Sequence, residues 1–218
     1  MKYGESLFDI LYLLFVIISG SVMLKKAGRS IDKQMGLASL ILGCGDAFHL
    51  VPRVLNYFVD GDYTAALGIG KLITSITMTV FYLLMYRIYL EYYQEKENGK
   101  TNRILYTLLF CRILLCLLPQ NGWLSNSGNM TWGIIRNLPF VLIGGIICCL
   151  YYRKRKEKVL FRFVWLYVLL SFLFYIPVAV GAGKLPILGM LMLPKTVCYI
   201  LLVICFLRVF QAGKGTGK

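Results

Sequence analysis

Apolar runs long enough to cross a bilayer recur along almost the whole chain, leaving no stretch from which a water-soluble domain could be built. A backbone in hydrocarbon must satisfy its own hydrogen bonds, so such runs take the form of helices. They predict seven of them, over about 6–25, 34–57, 64–90, 103–120, 132–152, 159–180 and 186–210. The expectation is one domain, 1–218, in an all-α polytopic membrane protein with seven transmembrane helices. Composition excludes an ordinary soluble domain: 58% of the 218 residues are hydrophobic, 16% are charged, and the mean hydropathy is +0.69.

The net charge of +14 is concentrated in alternate connections. Lys25, Lys26, Arg29 and Lys33 fill the first. Lys96, Lys100 and Arg103 stand in the third, among Glu91, Glu95 and Glu97. The run Arg153-Lys154-Arg155-Lys156-Glu157-Lys158 fills the fifth. The second carries Asp60 and Asp62, and the fourth, Asn121 to Thr131, carries no charge. Basic connections are retained inside, so the N-terminus is expected outside and the C-terminus inside, in a bacterial cytoplasmic membrane. Each basic loop residue would add about 1 kcal/mol of attraction to anionic lipid. Nucleic acid is excluded as a partner, because no aromatic–basic groove accompanies the charge. Glu5 and Asp9 argue against a cleavable signal peptide. Trp123 and Trp132 bracket the fourth loop as interfacial anchors, and Asn129-Met130-Thr131 is a glycosylation sequon on the expected outer side.

The stretch Gly43 to Tyr57 carries Asp46, His49 and Arg53 at spacings that share one helix face, and His49 is the only histidine. Asp46 lies about 18 Å along its helix from Gln34, past the middle of a core about 30 Å thick. Lys71 lies about 10 Å beyond Thr64, followed by Thr74, Ser75 and Thr77, and Lys195 about 16 Å beyond Lys184. Asp9, Arg112, Arg136 with Asn137, and Tyr199 add to the same outer zone. Pro52, Pro139, Pro177 and Pro194 each remove a backbone donor within a span, three of them close to a charge, which predicts a hydrated cavity opening outward. An ionisable group at membrane depth is costly and is retained where it is paired or functional. Asp46, His49, Arg53, Lys71, Arg136, Lys195, Tyr199 and Asp9 are therefore the candidate ligand-binding or proton-coupled residues. The bland readings are that Arg53, Lys71 and Arg136 snorkel, that Asp46 pairs within its helix, and that the helix-three threonines are interhelical glue. Cations outnumber Asp9 and Asp46, so the expected ligand is a small anion, either a carboxylate solute or a lipid headgroup phosphate.

No cofactor or metal is expected. The seven cysteines (Cys44, Cys111, Cys116, Cys148, Cys149, Cys198, Cys205) show no C-x-x-C spacing and suit helix contacts, and a zinc site would have to combine His49 with Asp46 and a thiol. Gly68-Ile69-Gly70-Lys71 and Gly181-Ala182-Gly183-Lys184 lack the spacing of a phosphate-binding loop, and the tail from Gly213 to Lys218 suits a solvated end.

Helix one superposes on helix five at an offset of 125, from Phe15–Pro52 to Phe140–Pro177. Phe15/Phe140, Val16/Val141, Ile18/Ile143, Gly20/Gly145, Lys33/Lys158 and Pro52/Pro177 are identical. Basic loop falls on basic loop. At an offset of 121, Leu67-Gly68 falls on Leu188-Gly189 and Arg87 on Arg208, while a competing offset of 113 places Gly68-Ile69-Gly70-Lys71 on Gly181-Ala182-Gly183-Lys184. The pattern predicts repeat A over about 6–90, a linker helix over about 103–120 and repeat B over about 132–210, related by an axis along the membrane normal.

In helix count, orientation and repeat the chain resembles the SWEET/PQ-loop sugar and amino-acid carriers and, more distantly, the microbial rhodopsins; it is also similar to uncharacterised bacterial seven-helix proteins. The first resemblance implies a carrier. The second implies a receptor or pigment protein with Lys195 as a Schiff-base lysine, although Leu191 stands one turn before it and helix three lacks carboxylates. An enzyme acting on a lipid-like substrate would use Asp46 and His49 as an acid–base pair, with Arg53 or Lys195 stabilising charge. Neither G-x-S-x-G nor H-E-x-x-H is present to favour it. The leading expectation is binding or transport of a small anionic solute or lipid.

Overall fold

The structure, a computed structural model, describes residues 2–125, 130–181 and 185–215. Asn129 of the sequon, Ala182 to Lys184 of the second glycine–lysine motif and residues 216–218 of the tail lie outside the described residues. Among the described residues the chain forms seven long helices and no strand. They are α1 (Lys2–Lys25), α2 (Ser30–Phe58), α3 (Thr64–Tyr93), α4 (Gly99–Leu117), α5 (Met130–Arg153), α6 (Val164–Gly181) and α7 (Met192–Gly215). Short 3-10 turns, Pro119–Asn121, Val159–Phe161 and Pro186–Leu191, follow α4 and precede α6 and α7. Six of the seven are long and apolar enough to cross a membrane; α4 has the length, but Lys100, Arg103 and Arg112 make it less apolar. Six to seven long apolar helices of this kind are compatible with a membrane helical bundle.

The distribution of side chains on α1 fits lipid contact. Leu7, Ile10, Leu11, Leu14 and Ile18 are exposed at helical spacing, while Ser6, Asp9, Tyr12, Ser19 and Gly20 are buried. Large apolar side chains along the outward face, with serine, aspartate and glycine buried beside Val16 and Met23, suit a helix packed in lipid.

Local chemistry sets where the helices begin and end. Asn98 accepts hydrogen bonds from the Lys100 N–H (2.9 Å) and Thr101 N–H (3.4 Å), so α4 starts several residues before the expected 103. It stops at Leu117 because Leu118 precedes a proline and is extended, at φ −65° and ψ 137°. Arg29 and Asp32 form a capping pair (Nη2–Oδ1 2.6 Å) that starts α2 at Ser30. At the other end of α2, Asp62 accepts the Thr64 N–H at 2.9 Å, and hydrogen bonding by Thr64 holds the Asp62 carboxyl below its ordinary range. Pro52, Pro139 and Pro177 lie within helices as expected from sequence. Pro194 also lies within its span, in the first turn of α7, where the missing N–H has no helical partner to lose.

Each helix packs on its neighbour in sequence, from α1–α2 to α6–α7, and α7 returns to α1, closing a ring. Contacts between α3 and α5 and between α2 and α7 cross it. Two aromatic layers fill the interior. Tyr82 packs against Phe140 (5.3 Å between ring centroids) and Phe172 (5.4 Å), and Tyr89, Tyr93, Tyr151 and Phe161 form the second layer near the basic connections.

Candidate functional site

One connection shapes the other end of the bundle. After α4 the chain turns back, and the side chain of Asn121, almost fully buried, caps the exposed carbonyls of that helix. Its Nδ2 donates to Leu115 (2.7 Å), Leu118 (2.8 Å) and Cys116 (3.3 Å). Trp123 Nε1 donates to Cys116 at 2.8 Å. The same asparagine accepts Arg136 Nη1 at 2.8 Å through Oδ1, and the Arg136 guanidinium lies over the Trp123 ring, 4.3 Å from its centroid. Asn121→Ala therefore removes the amide donor from the Leu115 and Leu118 carbonyls and the amide acceptor from Arg136 at once. The expected loss is about 2–3 kcal/mol, read as a lower denaturation midpoint in detergent.

Between this loop and α2, α3, α4, α5, α6 and α7 lies a cavity of about 440 Å³. His49, Lys71, Arg112, Arg136 and Lys195 all line it, with Thr74, Ser75, Asn121, Asn137 and Tyr175 as neutral polar groups, and among the described residues no carboxylate lines it. Phe140 and Tyr175 continue into the Tyr82–Phe140–Phe172 layer, which closes the cavity toward the bundle interior. Arg112 is only 1% exposed, too enclosed to reach an interface. Its Nη1 bonds the Arg136 carbonyl, in the turn that Pro139 interrupts, and its guanidinium faces Phe140 at 5.2 Å. Its Nε finds no hydrogen-bond partner. Lys195, 8% exposed, lies 4.9 Å from the Tyr175 ring and 5.5 Å from that of Tyr199. Tyr175 in turn donates to Asn137 at 2.7 Å.

The eight residues singled out from sequence divide into three groups. His49, Lys71, Arg136 and Lys195 line the cavity. Asp9, Asp46 and Arg53 belong to a separate cluster between α1 and α2. There Tyr12 donates to Asp46 at 2.6 Å, Arg53 pairs with Glu5, and Arg53 Nη1 stands 4.0 Å from Asp9. Tyr199 is core, buried behind Lys195 and edge-on to Phe81. Asp46 is thus engaged by a tyrosine, and His49 Nδ1, buried, has no partner, so the two make no hydrogen-bonded acid–base pair. Lys195 and Asp46 nevertheless act on each other electrostatically across the α2–α7 contact.

Asn121, Trp123 and Tyr175 were not among the sequence candidates. The run Pro119-Gln120-Asn121-Gly122 is a turn signature, completed by Gly122 in the left-handed region at φ 59°, and such a turn could have placed the loop over the bundle end. Nothing in the spacing of Tyr175 sets it apart from core aromatics. Among the described residues no cluster of three His, Cys, Asp or Glu side chains is placed to hold a metal, and the seven cysteines are free. No protein family, curated protein or solved structure matches this chain.

Proposed function

We propose that the chain is an integral membrane protein of seven spanning helices that binds or transports a small anionic solute or lipid through this cavity. The observation that carries the reading is the wall itself, where four basic side chains and the one histidine meet with no carboxylate among them. Enclosed cations are costly in a low-dielectric surround; Arg112 and Arg136 are held by neutral groups, and an anion that enters removes that cost. In this reading the N-terminus lies outside and the C-terminus inside. The loops after α1, α3 and α5 carry the basic residues and the cavity opens at the opposite end, to the exterior.

The internal 3+1+3 repeat belongs to the same proposal. The α1–α2 contact corresponds to α5–α6, α2–α3 to α6–α7, and α3–α5 to α7–α1, as a two-fold relation between halves requires. Thr74 and Lys195, equivalent at the offset of 121, both line the cavity. Such organisation supports the resemblance to the SWEET/PQ-loop carriers.

Native mass spectrometry of the gently purified chain tests the function. The expected result is a co-purifying anion that is lost from Lys195→Ala. A native protein that carries nothing, and whose stability is unchanged by that substitution, sinks the reading.

A further inference from the structure

We infer that the ligand of this cavity is an oxyanion carrying two negative charges, a phosphate monoester, held by Arg112 and Arg136. The inference rests on the anion-binding reading above and narrows it.

The argument is a count of charges and of what already neutralises them. Elsewhere in the bundle arginine and lysine meet carboxylates: Arg29 meets Asp32, Arg53 meets Glu5, and Lys154 meets Glu95 and Glu157. Within the cavity, Lys195 has Asp46 as its electrostatic counterpart. The partners found for Arg112 and Arg136 are of another kind. Arg112 is held by a backbone carbonyl and the Phe140 ring, Arg136 by the Asn121 amide and the Trp123 ring. All four partners are neutral, so they fix the two guanidinium groups in place and leave both charges standing. The two also repel one another, since each lies within electrostatic range of the other. A monocarboxylate would cancel one charge and leave the second enclosed; a dianion cancels both.

The donors point the same way. Arg112 Nε–H is buried in the wall without a partner, a donor left for an incoming oxygen. Guanidinium groups present N–H donors in a fixed plane that matches the oxygens of phosphate, which is why arginine is preferred over lysine for such groups. Met78, Val178 and Met192 line the remainder of the cavity and suit the apolar ester substituent. That substituent can be a small organic group or the acyl chains of a lipid; the charge argument concerns the headgroup they share.

The test compares dianion with monoanion in two settings, using the full chain in nanodiscs at pH 8, where a phosphate monoester with a second pKa of about 6 is doubly charged. In the first, phenyl phosphate and benzoate are titrated at equal ionic strength, with calorimetry as one readout and the fluorescence of Trp123, isolated by Trp132→Phe and Trp165→Phe, as another. In the second, phosphatidic acid is compared with phosphatidylglycerol, a singly charged diester, as the nanodisc lipid. The expected result is a monoester bound about tenfold or more tightly than its singly charged counterpart in at least one setting, a preference abolished by Arg112→Gln and by Arg136→Gln. Preference in the first setting identifies a soluble ester, and preference only in the second a lipid. Should the glutamine variants fail to fold, Arg112→Lys and Arg136→Lys keep the charge and lose the planar fork, and their preference should fall likewise. Equal binding of mono- and dianions overturns this inference and leaves the anion-binding reading standing. Absence of binding by all four probes overturns both. A preference that survives in the arginine variants overturns the assignment to Arg112 and Arg136.

Discussion

Arg53→Met should cost the protein about 3 kcal/mol of stability, and Glu5→Gln in the same chain should return a good part of it. Arg53 Nη2 pairs with Glu5, its Nη1 lies 4.0 Å from Asp9 Oδ2, and its Nε donates to the Tyr57 hydroxyl at 3.4 Å. Tyr57 donates onward to Glu5 at 3.2 Å. Among the described residues, Arg53 is the cation that pairs with both carboxylates, and a third, Asp46, acts electrostatically on Asp9. Removing the guanidinium strands these negative charges between α1 and α2. Breaking a buried ion pair from one side costs about 3–5 kcal/mol, and the lower end applies because the Arg53 and Glu5 side chains are 21% and 20% exposed. Glu5→Gln alone is mild by comparison, at about 1 kcal/mol, because Arg53 still has Asp9 to face. The measurement is a double-mutant cycle on chemical or thermal unfolding in detergent. If Glu5→Gln adds its own loss to that of Arg53→Met, the cluster does not hold α1 to α2.

The helices were legible because each is a long run dominated by apolar residues, so length and apolarity were enough to place all seven to within several residues. What moved their ends was local: the Asn98 cap, the Arg29–Asp32 pair and the extended residue before Pro119. The polar residues were legible as a set and not as a site. Asp46, His49 and Arg53 share a helix face by spacing, yet a helix packed between two neighbours turns that face into a divide. Tyr12 of α1 takes Asp46 and Glu5 takes Arg53, while His49 meets α3 and the cavity. Glu5 and Asp9 looked like residues that disqualify a signal peptide; their second meaning, as counter-charge for Arg53, requires a partner from another helix. Arg112 was visible as a charge at depth, but its enclosure depends on the loop that Asn121 folds back, a long-range consequence of a short turn.

Gly70→Ala should destabilise the bundle by about 3 kcal/mol and also loosen the cavity, although it adds one methyl group. A Cβ on Gly70 would run into the Phe48 carbonyl and stand 2.8 Å from the His49 Cα. On Gly68 it would run into the carbonyl of Trp123. Both obstacles are backbone, so no side-chain rotation relieves them, and the elements must separate. For Gly70 the separation is between α3 and α2, where Thr74 Oγ1 donates to the Gly45 carbonyl at 2.9 Å, and it carries His49 away from the wall. For Gly68 it lifts the ring that faces Arg136. The motif Gly68-Ile69-Gly70-Lys71 thus acts as a seat: its glycines let α2 and the Asn121–Trp123 turn approach α3, and its lysine reaches the cavity that the approach encloses. Gly145 supplies the control, since nothing lies within 4 Å of a Cβ there, and Gly145→Ala should leave stability unchanged or raise it by up to about 1 kcal/mol. Unfolding of the three variants in detergent, alongside anion titration of each, separates the alternatives. If Gly68→Ala and Gly70→Ala match Gly145→Ala in both readouts, the close approach is not what builds the cavity. If they lose stability and anion affinity together, the packing of α3 and the binding site are one structure.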